Sequence, residues 1–378
     1  MPETNPTTYR WLRCGAEAFP AMLEAVEAAR GSVRLEMYIL RASPLADQFR
    51  DALVAAARRG VRVQVLLDAL GCFSLAAGYW TPLIEAGGQF RWFNPLRVGR
   101  MIYRNHRKLL VCDDRRAFVG GINISPEYEG DGVTRGWLDL GMELQGGVVP
   151  DLAASFDDMF AAAEMPFRLL PRLRRAKARR TSAAESWRLL LGGPGRGTNF
   201  LKATLAQDLA AARDVRIVCA YFLPTWRIRR ELERIPRRGG RVQLVLAGKS
   251  DIGLSRRAGQ RLYAPLLRKG VEIAEYQPQV LHAKLFLVDD QVYVGSANLD
   301  ARSLNINYEL LVRVSDPGAV GEARELFDGI LAQSRPIRAA AWGRSRSCWT
   351  KLLENWAYFV LARLDPYVAR RNLDTLQS

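Results

Sequence analysis

The sequence predicts a duplicated α/β fold: two pseudo-twofold-related α-β-α lobes with an active site between them. Three observations predict it. The same blocks recur in the same order: Ser32–Leu40 (SVRLEMYIL) matches Asp214–Pro224 (DVRIVCAYFLP), and Arg59–Asp68 (RGVRVQVLLD) matches Gly239–Gly248 (GGRVQLVLAG). Asn105–Ser125 (NHRKLLVCDDRRAFVGGINIS) matches Leu281–Asp300 (LHAKLFLVDDQVYVGSANLD), about 175 to 180 positions further on. A period that long is a copied domain, not a solenoid repeat. Short β-branched runs bounded by Gly or charge, such as VRLEMYIL, VRVQVLL, KLLVCD and AFVGG, read as strands. Amphipathic helical runs alternate with them, which predicts α/β layers.

The elements follow in order. Phe19, Met22, Leu23 and Val26 recur at helical spacing and place a helix over Glu17–Arg30. Leu45, Phe49 and Leu53 mark the next; Leu201, Leu205 and Leu209, then Val320, Phe327, Ile330 and Leu331, do the same in the second half. The pairs Asp113–Asp114 and Asp289–Asp290 read as hairpin turns. Phe167–Arg180 is basic, contains a Pro and interrupts the pattern. The expected organisation is an N-terminal lobe over residues 1–166, a basic connection over 167–186, a C-terminal lobe over 187–335 and a tail over 336–378. In that tail Trp349, Leu352, Leu353, Trp356, Phe359 and Val360 share one helical face, with Lys351, Glu354, Asn355 and Arg363 on the other. Such a helix suits either a membrane interface or the protein's own core.

Composition narrows the partners. The 378 residues hold 55 Lys plus Arg against 39 Asp plus Glu, a formal charge of +16. That excess calls for a polyanion, either nucleic acid or an anionic membrane surface. Basic clusters at Arg97–Arg107, Arg168–Arg180, Arg227–Arg241 and Arg256–Arg261 are candidate headgroup contacts. So are the loops Gly71–Trp80 and Pro95–Tyr103, which mix apolar and Arg residues. No run of about 18 apolar residues is present, so no spanning helix is expected. The start MPETNPTTYRWLRCG does not read as a signal peptide. Five scattered Cys give neither a disulfide framework nor a zinc motif, and a reducing compartment fits them.

The chemistry concentrates on the only two His. His106, Lys108 and Asp113 stand as H-x-K-x4-D, and His282, Lys284 and Asp289 repeat the pattern. One such coincidence has odds of roughly one in a thousand at this composition. The Lys choice sharpens it, because only 7 of the 55 basic residues are Lys. A compact ammonium and a planar guanidinium do different work. On a strand, residues i and i+2 face one way, so each His and Lys would project together. Asn123 and Asn298, then Asp139 and Glu309, follow at matching places. Paired imidazoles suit phosphoryl chemistry, one as nucleophile and one as general acid and base. Lys and Asn would stabilise charge on the phosphoryl oxygens, and Asp139 or Glu309 would set an imidazole tautomer. The lysines supply the positive charge, so no metal and no cofactor is called for.

These motifs resemble the phospholipase D superfamily, whose hallmark is two H-x-K-x4-D motifs on a duplicated α/β fold. The likeness covers roughly residues 8–335. Gly295–Leu310 (GSANLDARSLNINYEL) and Ala220–Thr225 (AYFLPT) are similar to bacterial cardiolipin synthases, of the shorter type without N-terminal transmembrane helices. The resemblance implies a phosphatidyltransferase. It would move a phosphatidyl group from phosphatidylglycerol, or in some members phosphatidylethanolamine, to the glycerol hydroxyl of another lipid through a phosphohistidine. It also implies a peripheral position on the cytoplasmic face of the bacterial membrane. Hydrolysis, as in a phospholipase D, and a metal-independent nuclease are the alternatives within the superfamily, and nucleic acid is the partner to exclude. The residues leave open which His is the nucleophile; the resemblance favours His106. Asp113 and Asp289 belong to the motif, although turn carboxylates often serve the backbone. Tyr38, Asp68, Tyr221, Ser296 and Arg302 are candidate substrate contacts. Gly121 stands where the second motif has Ser296.

Overall fold

The computed structural model describes residues 6–95, 103–164, 186–194, 199–344 and 346–365. The expected basic connection, 167–186, lies outside the described residues apart from Ser186.

The first half builds one sheet from β1 (Thr8–Leu12), β2 (Ser32–Met37), β3 (Arg62–Asp68), β4 (Gln89–Phe93), β5 (Leu109–Cys112), β6 (Arg116–Gly120) and β7 (Gly141–Gln145). Its order is β1-β7-β6-β5-β2-β3-β4. The second half adds β8 (Trp187–Gly192), β9 (Asp214–Cys219), β10 (Arg241–Lys249), β11 (Glu272–Val280), β12 (Lys284–Val288), β13 (Gln291–Gly295), β14 (Glu309–Val314) and β15 (Ser334–Pro336). Its order, read from the other end, is β8-β14-β13-β12-β9-β10-β11-β15. The two orders coincide strand for strand, with β15 added at one edge. Parallel pairing is also shared, β2-β3-β4 in one half and β9-β10-β11 in the other. The duplication seen in the sequence is thus a duplication of topology.

Local chemistry sets the helix limits. The helix Pro44–Arg58 starts where Ser43 Oγ accepts the Ala46 N–H at 3.2 Å and proline fills the first turn. Asn199 and Asp316 cap Phe200–Ala211 and Pro317–Ala332 in the same way. The first helix runs over Gly15–Ala28, two residues ahead of the expected Glu17–Arg30. It stops early because the Arg30 and Gly31 N–H groups are bonded by the Asp113 carboxylate at 2.9 and 2.7 Å.

Helices Gly15–Ala28 and Pro44–Arg58 cover one face of the first sheet through Phe19, Val26, Phe49 and Leu53. Phe200–Ala211 and Trp226–Arg237 do this for the second through Leu205, Leu209, Ile228 and Leu232. The remaining faces share a single buried cluster that runs across both halves, from Val111, Met142 and Phe156 to Leu285, Val312 and Phe327. Burying apolar area between the halves fixes one sheet against the other. The site lies along that junction.

Candidate active site

Short backbone bridges join the halves at the two motifs. Asn105 pairs with Tyr308 and Leu138 with Leu281, each as an isolated parallel bridge. The His106 N–H donates to the Tyr308 carbonyl at 3.0 Å, and the His282 N–H to the Leu138 carbonyl at 2.8 Å. Both histidines precede their strands, since β5 opens at Leu109 and β12 at Lys284. Sequence spacing placed them within strands. Instead, bonds to the opposite lobe replace the continuing ladder. Each Lys still folds back beside its His: Lys108 Nζ donates to the His106 carbonyl at 2.6 Å, and Lys284 Nζ to that of His282.

Each imidazole meets a carboxylate of the other half. His106 Nδ1 lies 3.1 Å from Glu309 Oε2, and His282 Nδ1 lies 2.6 Å from Asp139 Oδ2. Both carboxylates are fully buried. A buried anion at Nδ1 holds the proton there and leaves Nε2 to the substrate. Burial pushes His106 down to about 4, with Lys108 adding to the fall and Glu309 opposing it. His282 is also lowered, first by burial and then by Lys284, against Asp139. Glu309 is itself held below its usual range: burial opposes this, but His106, Lys108 and the Ser296 hydroxyl prevail. Burial brings Lys108 down to about 7 and lowers Lys284 as well.

The two imidazoles are not equivalent. Lys284 Nζ sits 2.7 Å from His282 Nδ1 and 3.3 Å from Nε2. Tyr128 Oη lies 3.1 Å from His282 Nδ1. Among the described residues, no partner takes His106 Nε2. The asparagines differ too. Asn123 donates to Tyr128 Oη at 2.8 Å and accepts from the Ile39 N–H at 3.2 Å. Asn298 receives no such support: its buried Oδ1 has no hydrogen-bond partner among the described residues.

Of the lining candidates, Tyr38 and Tyr221 occupy equivalent places. The Tyr38 ring meets His106 at 4.7 Å between centroids, and Tyr221 meets His282 at 5.9 Å. Ser296 does not face an open cleft: its hydroxyl donates to Glu309 Oε2 and accepts the Leu310 N–H at 3.0 Å. Gly121 has a reason of its own. A Cβ there would stand 2.2 Å from Asp139 Oδ1, so the carboxylate occupies the space a serine would need. Asp68 is a fully buried structural group that accepts the Asn105 N–H at 2.9 Å and pairs with Arg104 at 3.2 Å. Arg302 is ion-paired with Asp365 at 2.7 Å.

Asp113 and Asp289 stand apart from the imidazoles, beyond the far ends of β5 and β12. Asp113 accepts the N–H groups of Arg30, Gly31 and Ser32 at 2.7–2.9 Å. Asp289 accepts those of Arg213 and Asp214 at 2.9 and 2.8 Å. Both adopt positive φ, 55° and 50°, which Asp tolerates better than most residues. Within the Arg97–Arg107 cluster, Arg104 and Arg107 are buried and not available to headgroups. Arg107 pairs with Glu36 at 3.0 Å and donates to Ser155 Oγ at 2.8 Å. In the loop 71–80, Cys72 and Trp80 are likewise buried, while Phe73 is exposed. Pattern reading missed Tyr128, Trp137, Glu36 and Asp251. Trp137 packs 5.8 Å from the His282 ring, and Asp251 accepts the Tyr221 hydroxyl at 2.6 Å. None of these four lies in an H-x-K-x4-D motif, and Glu36 stands opposite Val218 in its repeated block, so only their spatial neighbours reveal them.

A duplicated sheet order with two His–Lys pairs meeting at the lobe junction defines a phospholipase D-like enzyme. The family model described as "Cardiolipin synthase, PLD-like domain" matches residues 22–130 and 205–331. Cardiolipin synthase 2 of Bacillus anthracis is 32% identical over 352 residues, 90% of this chain and 68% of the relative. Cardiolipin synthase B of Salmonella typhimurium is 32% identical over 330 residues, 85% of this chain and 79% of the relative. In fold, the chain is similar to the phosphatidylserine synthase of Haemophilus influenzae, with a TM-score of 0.76 at 14% identity. That superposition covers 96% of this chain and 94% of the other. The chain belongs to the phospholipase D-like cardiolipin synthase family, a family of phosphatidyltransferases.

Proposed function

We propose that this enzyme makes cardiolipin from two phosphatidylglycerol molecules at the cytoplasmic face of a bacterial membrane, with His106 as nucleophile. The observation that carries the assignment of roles is the asymmetry of the imidazoles. His106 has Nδ1 against Glu309 and, among the described residues, no partner at Nε2, whereas His282 is crowded by Lys284 and paired with Asp139.

His106 Nε2 attacks phosphorus. A P–N bond forms and the P–O bond to the headgroup glycerol breaks. His282, as imidazolium over Asp139, gives the leaving alkoxide its proton. A second phosphatidylglycerol then offers its glycerol hydroxyl. His282 takes that proton, the oxygen attacks phosphorus, and the P–N bond breaks to restore His106. Lys108, Lys284 and the Asn298 amide hold the phosphoryl oxygens. An anionic phosphodiester also reverses the lowering of both lysines and His282, because an opposite charge favours the protonated forms.

Purified protein with phosphatidylglycerol vesicles is expected to release glycerol and cardiolipin in equal amounts. Phosphatidic acid as sole product would replace transfer by hydrolysis. Cleavage of plasmid DNA without lipid turnover would replace both by a nuclease.

A further inference from the structure

We infer that the outward face of the helix Cys348–Phe359 docks the enzyme on an anionic lipid bilayer, at the mouth of the active site. The helix is mounted the opposite way from a core helix. It buries Glu354 and Ala357, the latter against Leu223 and Ala258. Glu354 pairs with Arg346 at 3.3 Å, and Asn355 accepts from Arg261. The apolar stripe therefore points away from the protein: Trp349, Leu352, Trp356 and Phe359 are 67, 55, 57 and 58% exposed. Leu364, in the turn that follows the helix, and Ile252, two residues before Leu254 of the cluster under Ala357, are 46% exposed each. Single exposed apolar residues are ordinary, but a contiguous stripe with two Trp marks an interaction surface.

Three features select a bilayer as the occupant. Trp and Phe on one face favour the headgroup boundary, where an amphipathic ring has both its apolar and its polar surroundings. Exposed Lys351, Arg344 and Arg363 flank the stripe, and the whole chain carries +16. They complement anionic headgroups. The position is the third. Just beyond the helix, Asp365 pairs with Arg302, and the Arg302 carbonyl accepts the Asn307 N–H at 2.9 Å, two residues before Glu309, the partner of His106. On the other side, Ile252 follows Asp251, the partner of Tyr221 beside His282. The stripe is thus joined by short chains of contact to both imidazoles. Docking through it would set the cleft opening at the lipid surface, from which a phosphatidyl headgroup could be taken without leaving the bilayer. The choice of a bilayer rests on the phosphatidyl-transfer reading above.

The test uses the full chain and a triple variant, Trp349→Ser, Trp356→Ser and Phe359→Ser. Flotation is measured with vesicles of phosphatidylglycerol and phosphatidylcholine. Turnover is measured on those vesicles and on short-chain phosphatidylglycerol kept monomeric. Vesicle binding and vesicle turnover are expected to fall about tenfold or more, while turnover of the monomeric lipid stays within about twofold. A second variant, Trp349→Phe and Trp356→Phe, is expected to retain binding. Unchanged flotation of the triple variant would overturn the inference. So would equal loss on both substrates with a lowered melting temperature, which would make the stripe a packing face. A dimer that becomes a monomer while still floating would make it a contact between copies. Loss of flotation in the variant of a parent that forms no transfer product would leave the docking face standing and remove the catalytic reading.

Discussion

His106 leans on Glu309 and His282 on Asp139, so each imidazole is oriented by a carboxylate from the opposite half. Glu309→Gln or Asp139→Asn keeps the shape and removes the charge that fixes the tautomer. Either is expected to lower kcat about 10²–10⁴-fold with little change in melting temperature, measured by initial rates and thermal unfolding. Gly121→Ala tests the same contact from behind. The added methyl displaces Asp139, so kcat is expected to fall about tenfold or more in a folded protein. A variant as active as the parent would show that Asp139 can shift at no cost. The pH profile follows from burial. His106, lowered to about 4, is a neutral nucleophile through the neutral range. Lys108, lowered to about 7, loses its charge above that pH in the empty enzyme. kcat/KM is therefore expected to fall on the alkaline side with an apparent pKa near 7, a value belonging to the coupled site. A flat profile to pH 9 would contradict it. At this scale the sequence made the His, Lys, Asn and carboxylate residues legible, because duplication wrote each twice. It did not show the crossed pairing, which depends on how the halves face each other. Nor did it show that Asp68, read as a substrate contact, and Arg104 and Arg107, read as headgroup contacts, are buried in ion pairs, Asp68 with Arg104 and Arg107 with Glu36.

The β5–β6 and β12–β13 hairpins give Asp113 and Asp289 their task. Each carboxylate ties its turn to the start of β2 or β9 through backbone N–H groups. Asp113→Ala is expected to cost about 1–3 kcal/mol of unfolding free energy, read by denaturant titration, while the folded fraction keeps most of its kcat. The Asp113 pKa is held low: burial opposes this, but the bonds from Ser32, Arg30 and Gly31 outweigh it. Its contribution is therefore present at neutral pH and lost as pH falls through the carboxylate range. Strand and helix order were legible in periodicity, since buried faces leave a pattern of 2 or 3.6. The ends were less so. The first helix stops where Asp113 captures N–H groups more than 80 positions away in sequence, which no local pattern reports. In the tail helix the two faces were legible but not their direction: the apolar stripe faces outward and the glutamate faces in.

The whole molecule is a single site made by two copies of one unit. Neither half holds a complete catalytic group, since the carboxylate for each imidazole comes from the other. The shared core from Val111 to Phe327 sets that geometry, so loosening it should reduce activity before it unfolds either sheet. The net charge of +16, which by itself suits nucleic acid as well as lipid, does not come from buried Arg104 and Arg107, because they pair with buried Asp68 and Glu36. On the proposed function, the exposed excess would serve an anionic surface. The central claim is a covalent phosphatidyl–His106 intermediate resolved by His282. The direct measurement is rapid quenching of the His282→Asn enzyme after mixing with phosphatidylglycerol, followed by mass mapping of the adduct. A phosphatidyl group on His106, absent in His106→Asn, is predicted. An adduct on another residue, or turnover that persists in His106→Asn, would contradict the account.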